Sequence, residues 1–179
     1  LEEHLEHLRA ILERLREYRL FAKLKKCDFN KSELRYLGYI IGRDGLKSDP
    51  EKIKAVQQFR TPKCVTDIKS FLGLANQFRK FVIDFALIAE PLTRMTRKSI
   101  PFHWGEEQEQ AFVALKHAIT NAPVLALPDF EKTFTVKSHA SGLGIGAVLL
   151  QDDRPRAYFS RKLSQAEMNY SVGEQELLA

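Results

Sequence analysis

The chain has 179 residues, 44% of them hydrophobic and 28% charged, with a formal net charge of +5. That is enough apolar material for one large or two small domains with a true core. Its longest apolar runs are only a few residues, far short of the roughly 20 that a membrane helix needs, and the opening LEEHLEHLRAILERL lacks the apolar stretch of a signal peptide. Cys27 and Cys64 sit in unrelated segments and form neither a disulfide framework nor a CxxC pair, so a reducing intracellular setting, cytoplasmic or nuclear, is expected. Charge is uneven: residues 1–100 carry 21 Lys/Arg against 13 Asp/Glu, whereas 101–179 carry 7 against 10. A basic first half points to a polyanionic partner, with a solvated lysine-rich surface as the plain alternative.

Leu5, Leu8, Leu12 and Leu15 recur at three- and four-residue steps, which predicts a helix over 3–20. His4 and His7, three apart on it, are read as exposed histidines, with a shared metal ion as the alternative. Two or three short antiparallel strands are expected next, from the alternation at Phe21–Lys26 and from the β-formers Tyr36 to Ile41 before the turn GRDG (42–45). SDPEKIKAV predicts a helix start, with Asp49 as N-cap and Pro50 in the first turn. Pro62 ends that helix. Further helices are expected from Thr66-Asp67, over about 84–96 with a bend at Pro91, and over about 105–121 before Pro123. The period then changes to two. FTVKS, GIGAVLLQ and PRAYFSRKL read as strands, the two glycines of the second implying close approach of another element, and SQAEMNYSVGEQELLA reads as a helix.

Several phrases in series are more specific. KLKKCDF…LRYLGYIIGRDGLKSDPEKIKAV, FLGLANQFRKFVIDFALIAEPL, FHWGEEQEQAFVALKHAITNAPVLALPDF and YFSRKLSQAEMNYSVGEQELLA occur in this order. Together they resemble the reverse transcriptase–ribonuclease H polyproteins of gypsy/Ty3-type LTR retrotransposons. The resemblance implies an α+β fold: a palm-end helix and primer-gripping β-hairpin at 1–48, a small helical thumb at 49–100, a junction at 101–130, and the N-terminal part of a ribonuclease H-like mixed sheet at 131–179. It also implies an RNA–DNA or DNA duplex as partner through the basic N-terminal half. The remaining polyprotein segments or another protein are further partners, and no membrane is involved. In the thumb, Asn76, Gln77, Arg79 and Lys80 are expected to project from one helix toward the sugar-phosphate backbone, with Phe78 and Phe81 partly anchoring it. Lys23, Lys25 and Lys26 are candidate phosphate contacts beside the hairpin. The alternative is that the aromatics are core and the polar groups merely solvated.

The chemistry of the family requires carboxylates that hold paired metal ions. Its Tyr-x-Asp-Asp polymerase element does not occur in the 179 residues, and Asp28 and Asp44 are scattered loop acids. By the resemblance, the first ribonuclease H aspartate falls at position 139, where this sequence reads Ser138-His139-Ala140-Ser141, and Glu176 matches the second carboxylate. The intact family uses Mg²⁺, and magnesium prefers hard oxygen ligands to imidazole. The chain is therefore expected neither to polymerise DNA nor to cut RNA by itself, to need no cofactor, and to retain Glu176 as a vestige. A histidine ligand in an altered metal site is the rival reading of His139. A second functional reading is a decayed or host-retained remnant serving as a structural or protein-interaction module.

Overall fold

The structure, a computed structural model, describes residues 2–179. It comprises two compact units, 1–34 and 35–179, whose boundary falls inside the first strand. In the first unit, helix α1 (Glu2–Glu17) opens with Glu2 and Glu3 and closes with Arg14 and Arg16, which complements its dipole. None of its described residues is buried. The strand expected at Phe21–Lys26 does not form. Instead Lys26 and Cys27 return their N–H groups to the carbonyls of Lys23 and Leu24, at 2.8 and 3.0 Å, closing a 3₁₀ turn at Leu24–Lys26. Six residues of alternation were too few to distinguish a ladder from a lysine-rich turn that is exposed throughout.

Three short strands, β1 (Glu33–Tyr36), β2 (Tyr39–Gly42) and β3 (Gly45–Ser48), make a sheet in chain order. β2 and β3 are antiparallel, with Tyr39 opposite Ser48 and Gly42 opposite Gly45. Asp49 then caps α2 (Pro50–Gln57) as its sequence predicts, its carboxylate accepting the Glu51 N–H at 3.0 Å. α3 (Val65–Asn76), α4 (Phe85–Ile88), α5 (Glu90–Met95) and α6 (Glu106–Thr120) follow. Cys64, at the N-cap of α3, is exposed.

One core joins these helices. Val56, Ile68, Phe71, Ala75, Phe78, Val82, Phe85, Leu92, Phe112, Leu115 and Ile119 lie in a single buried cluster, so α6 belongs to the same helical body as α2–α5. Phe71 sits between Phe59 and Phe112, with ring centroids at 5.3 and 4.6 Å, the tilted geometry that aromatic pairs prefer. After α6, Leu125 forms a two-way bridge with Leu46, at 2.7 and 3.0 Å, and the Ala126 N–H reaches the Pro155 carbonyl at 3.0 Å. This segment thus links the hairpin to the second sheet.

That sheet holds β4 (Thr135–Ala140), β5 (Gly144–Gln151) and β6 (Arg154–Lys162), antiparallel and in chain order. The helix expected from Ser164 begins later. Residues Glu167–Asn169 form a 3₁₀ turn, and α7 (Val172–Leu178) starts at a Ser171–Glu174 capping box. Glu167 accounts for the delay: its carboxylate turns back to the Ser164 N–H at 2.7 Å and to Arg161, which fixes a turn. Among the described residues no helix is long and apolar enough to cross a membrane.

Candidate nucleic-acid interface and the His139 position

The four polar residues of NQFRKF do not share one helix. Asn76 ends α3, Gln77 caps it, and Arg79 and Lys80 lie in a 3₁₀ turn (Arg79–Phe81). Phe78 and Phe81 are fully buried rather than partly anchored. Their burial turns the neighbouring polar groups along separate directions. Gln77 faces the hairpin: its side-chain amide donates to the Leu37 carbonyl at 3.0 Å, and the Tyr39 hydroxyl donates to the Gln77 carbonyl at 2.8 Å. Gly38 makes this possible. Its φ is +82°, and a Cβ there would lie 2.2 Å from Gln77 Nε2.

Lys80 lies over the Tyr39 ring, with Nζ 4.0 Å from the centroid. Burial lowers the Lys80 pKa and raises that of the Tyr39 hydroxyl. Arg79 crosses to the second sheet, donating to the Ser160 carbonyl and resting beside the Phe85 ring. Ser160, fully buried in β6, in turn accepts the Ala86 N–H on its hydroxyl at 2.9 Å. Asn76 remains exposed. Lys23, Lys25 and Lys26 are likewise exposed, about the turn Leu24–Lys26.

Asn76 and Arg79 open onto a cleft of about 440 Å³ between α3, α4–α5 and β6. Arg94, Arg97, Lys162 and Glu90 also line it. Glu90 is held by Lys162 at 2.5 Å and by Arg94 at 3.7 Å, and Arg94 reaches Glu107 at 2.5 Å. These ion pairs hold Arg94 charged and raise its pKa further, the Glu107 hydrogen bond being the largest cause. Sequence reasoning overlooked Glu90, Arg94, Arg97 and Lys162. Glu90 and Arg94 stand four apart on α5, a spacing that places side chains on a common face, and Arg97 follows just beyond the helix end.

His139 lies on β4 opposite Gly146 of β5. Its Nε2 approaches Asp84 Oδ1 to 3.3 Å. A Cβ at Gly146 would lie 2.3 Å from that oxygen and 2.4 Å from the imidazole Cε1, so the glycine provides the space in which the two meet. Gly144 similarly admits Leu87, whose Cδ2 would be 2.5 Å from a Cβ there. The two glycines of β5 therefore accommodate another element, as their positions in the strand suggest. Glu176 lies at the same end of β4, its Oε2 accepting the Ala140 N–H at 3.3 Å.

These residues do not fit a paired-magnesium site. Position 139 offers a nitrogen ligand engaged with Asp84, and the nearby Glu176 carboxylate is engaged by the backbone. Among the described residues no three His, Cys, Asp or Glu side chains converge to hold a metal.

Residues 104–179 match the family described as an RNase H-like domain found in reverse transcriptase. The chain is 41% identical over 189 residues to the retrovirus-related Pol polyprotein from transposon gypsy of Drosophila melanogaster, covering 99% of this chain and 18% of that relative. It is 38% identical over 191 residues to that from transposon opus of the same fly, covering 98% and 19%. The chain thus spans less than a fifth of the length of these curated relatives. Among solved structures, the foamy viral protease–reverse transcriptase in complex with RNA/DNA hybrid superimposes with a TM-score of 0.83 at 26% identity, covering 99% of this chain and 25% of that one. A second foamy viral protease–reverse transcriptase, in complex with dsDNA, gives a TM-score of 0.80 at 27% identity over 98% of this chain and 38% of that one. The series of motifs, the RNase H-like segment and the matches along almost the whole chain agree, and the chain belongs to the reverse transcriptase–ribonuclease H polyproteins of gypsy/Ty3-type retrotransposons.

Proposed function

We propose that this piece of the polyprotein supplies the surface that holds an RNA–DNA or DNA duplex, and a scaffold that ties that surface to the RNase H-like sheet. The observation that carries the reading is the superposition along 99% of the chain on a reverse transcriptase in complex with an RNA/DNA hybrid. The exposed Lys23, Lys25 and Lys26 and the exposed end of α3 at Asn76 support it. Phosphate contacts give sequence-independent affinity, which an enzyme moving along any duplex needs. Lys80 and Arg79 would add positive charge close to the duplex while anchoring the hairpin and the sheet.

Catalysis would come from carboxylates supplied by other parts of the polyprotein. Within residues 2–179, His139 and Glu176 do not present the oxygen set that magnesium prefers. The setting would be intracellular, with the remaining polyprotein segments as protein partners. A decayed or host-retained remnant gains no separate support from these contacts, and the relatives matched are transposon polyproteins.

Fluorescence anisotropy with an RNA–DNA hybrid, at low and at physiological salt, tests the reading. Salt-sensitive binding in the range of roughly 10⁻⁴ to 10⁻⁶ M is expected. Replacing Lys23, Lys25 and Lys26 by Gln should weaken it for every sequence alike. No binding at low salt would overturn the proposal.

A further inference from the structure

We propose that α1 is a homotypic docking helix: the leucine face of one copy of this chain pairs, antiparallel, with the same face of a second copy. The inference is independent of the duplex-binding reading and concerns a surface that reading does not use. Leu5, Leu8, Leu12 and Leu15 follow steps of three, four and three, the a and d positions of two heptads. On α1 they form one stripe, and it is open: Leu5 is 54% and Leu12 48% exposed, with Leu8 and Leu15 half-buried. Ile11, beside the stripe, is 59% exposed. Covering such a face with another apolar face removes both from water.

The charges decide which partner fits. Up to Leu8 the described helix carries Glu2, Glu3 and Glu6 and no Lys or Arg; from Arg9 onward it carries Arg9, Arg14 and Arg16 against Glu13 and Glu17. A second copy laid parallel would set the three carboxylates against their own counterparts. Laid antiparallel, it sets the acidic half against the basic half, and every contact occurs twice, as in any two-fold pairing. With the axis beside residue 10, Leu5 faces Leu15 of the second copy and Leu8 faces Leu12. Glu2 and Arg16, which flank the stripe on one side, then meet across the pair. Neither side chain has a charged partner among the described residues, whereas Arg14 is held by Glu17 at 2.6 Å and lies 4.9 Å from the Tyr18 ring centroid. Ile11 meets Ile11 at the axis, and Arg9 meets Arg9 there as the like-charge contact that opposes the pairing.

The end of the helix offers a seat. At Arg19 the backbone turns with a φ of +55°, and the Leu20 N–H returns to the Leu15 carbonyl at 2.8 Å. Leu20 and Phe21 thereby line a groove of about 530 Å³ with Leu12 and Leu15. Leu5 of the second copy falls at this groove. Sixteen residues at about 1.5 Å each make the helix about 24 Å long. The interface is therefore small, and association is weak and concentration-dependent.

Sedimentation velocity of the whole chain without nucleic acid, from micromolar to near-millimolar concentration, tests the pairing. The average mass should rise from one chain toward two. Leu12→Gln alters an exposed position and keeps a good helix former. It should weaken association by more than about a hundredfold, because each pairing buries Leu12 twice. At low ionic strength, where exposed charges are least screened, Glu2→Arg and Arg16→Glu should each weaken association about tenfold. An equimolar mixture of these two variants should associate as the unaltered chain does, since every contact again joins opposite charges.

A chain that stays monomeric throughout overturns the proposal and leaves the stripe to other segments of the polyprotein. Association that survives Leu12→Gln places the contact on another surface and overturns it equally. If Leu12→Gln abolishes association but the mixed charge variants regain nothing, the helices do not meet antiparallel and the assignment is wrong. The duplex-binding reading is untouched by each of these results, because no hybrid is present.

Discussion

The imidazole Nε2 of His139 lies 3.3 Å from Oδ1 of Asp84, in a notch that Gly146 leaves on β5. That oxygen is enclosed by protein and accepts no well-aligned hydrogen bond, which leaves the imidazole as its partner at ion-pair distance. The histidine thus joins the RNase H-like sheet to the start of α4. Partly exposed pairs of this kind contribute modestly, about 0.2–1 kcal/mol. A double-mutant cycle between His139→Ala and Asp84→Asn, followed by urea unfolding, should return a coupling of that size. His139→Asp should destabilise more than His139→Ala, because it brings a second carboxylate toward Asp84. An His139→Asp protein as stable as the unaltered chain would show that the contact is incidental.

Gly146 gives a steric version of the same test. A methyl group there would overlap both Asp84 and His139, and overpacking of this order costs about 1–3 kcal/mol. The penalty of Gly146→Ala should shrink in a chain that also carries Asp84→Ala and His139→Ala. An undiminished penalty would mean that the strand backbone, and not the pair, requires glycine.

Acid should loosen the turn before α7. Glu167 accepts two hydrogen bonds from the Arg161 guanidinium, each 2.9 Å, and one from the Ser164 N–H, and its pKa falls to about 2, the Arg161 hydrogen bond being the largest cause. A carboxyl whose folded pKa is depressed stabilises the fold above its unfolded value and loses that effect as pH falls toward the folded one. The contribution should therefore be complete above about pH 4.5 and disappear as pH falls through about 2. A carboxyl ¹³C titration of Glu167 with a midpoint near 4.5 would contradict this, as would a Glu167→Gln chain with an unaltered acid transition.

Local chemistry made part of this architecture legible. Asp49 followed by Pro50 marks a helix start within three residues, and the change of period after residue 133 announces strands, because these signals depend on neighbours in sequence. What escaped depends on distant partners. Gln77 finds Leu37 forty residues earlier, Arg79 finds Ser160 eighty-one residues later, and Asp84 meets His139 across the junction. Before folding, Gln77, Arg79 and Lys80 read as one polar face. Burial of Phe78 and Phe81 separated them. The lysine run at 23–26 failed for the opposite reason, since its pattern was short enough to satisfy a turn as well as a strand.

The Gly38–Gln77 contact allows structural and binding roles to be separated. Gly38 has a φ of +82°, and its carbonyl accepts the Asp49 N–H at 3.1 Å, so this turn holds both the hairpin and the cap of α2. Gly38→Ala imposes a left-handed conformation costing about 1–2 kcal/mol and a contact of 2.2 Å with the Gln77 amide. Gln77→Ala removes the contact but leaves the glycine conformation intact. Hydrogen exchange at Asp49 should accelerate in both variants, and more in Gly38→Ala. If Gln77 serves as a clamp, Gln77→Ala should leave the affinity for the hybrid at fixed salt unchanged while the exchange rate rises. An affinity that falls with no increase in exchange would assign Gln77 to the duplex instead, because a direct contact is lost without loosening the turn.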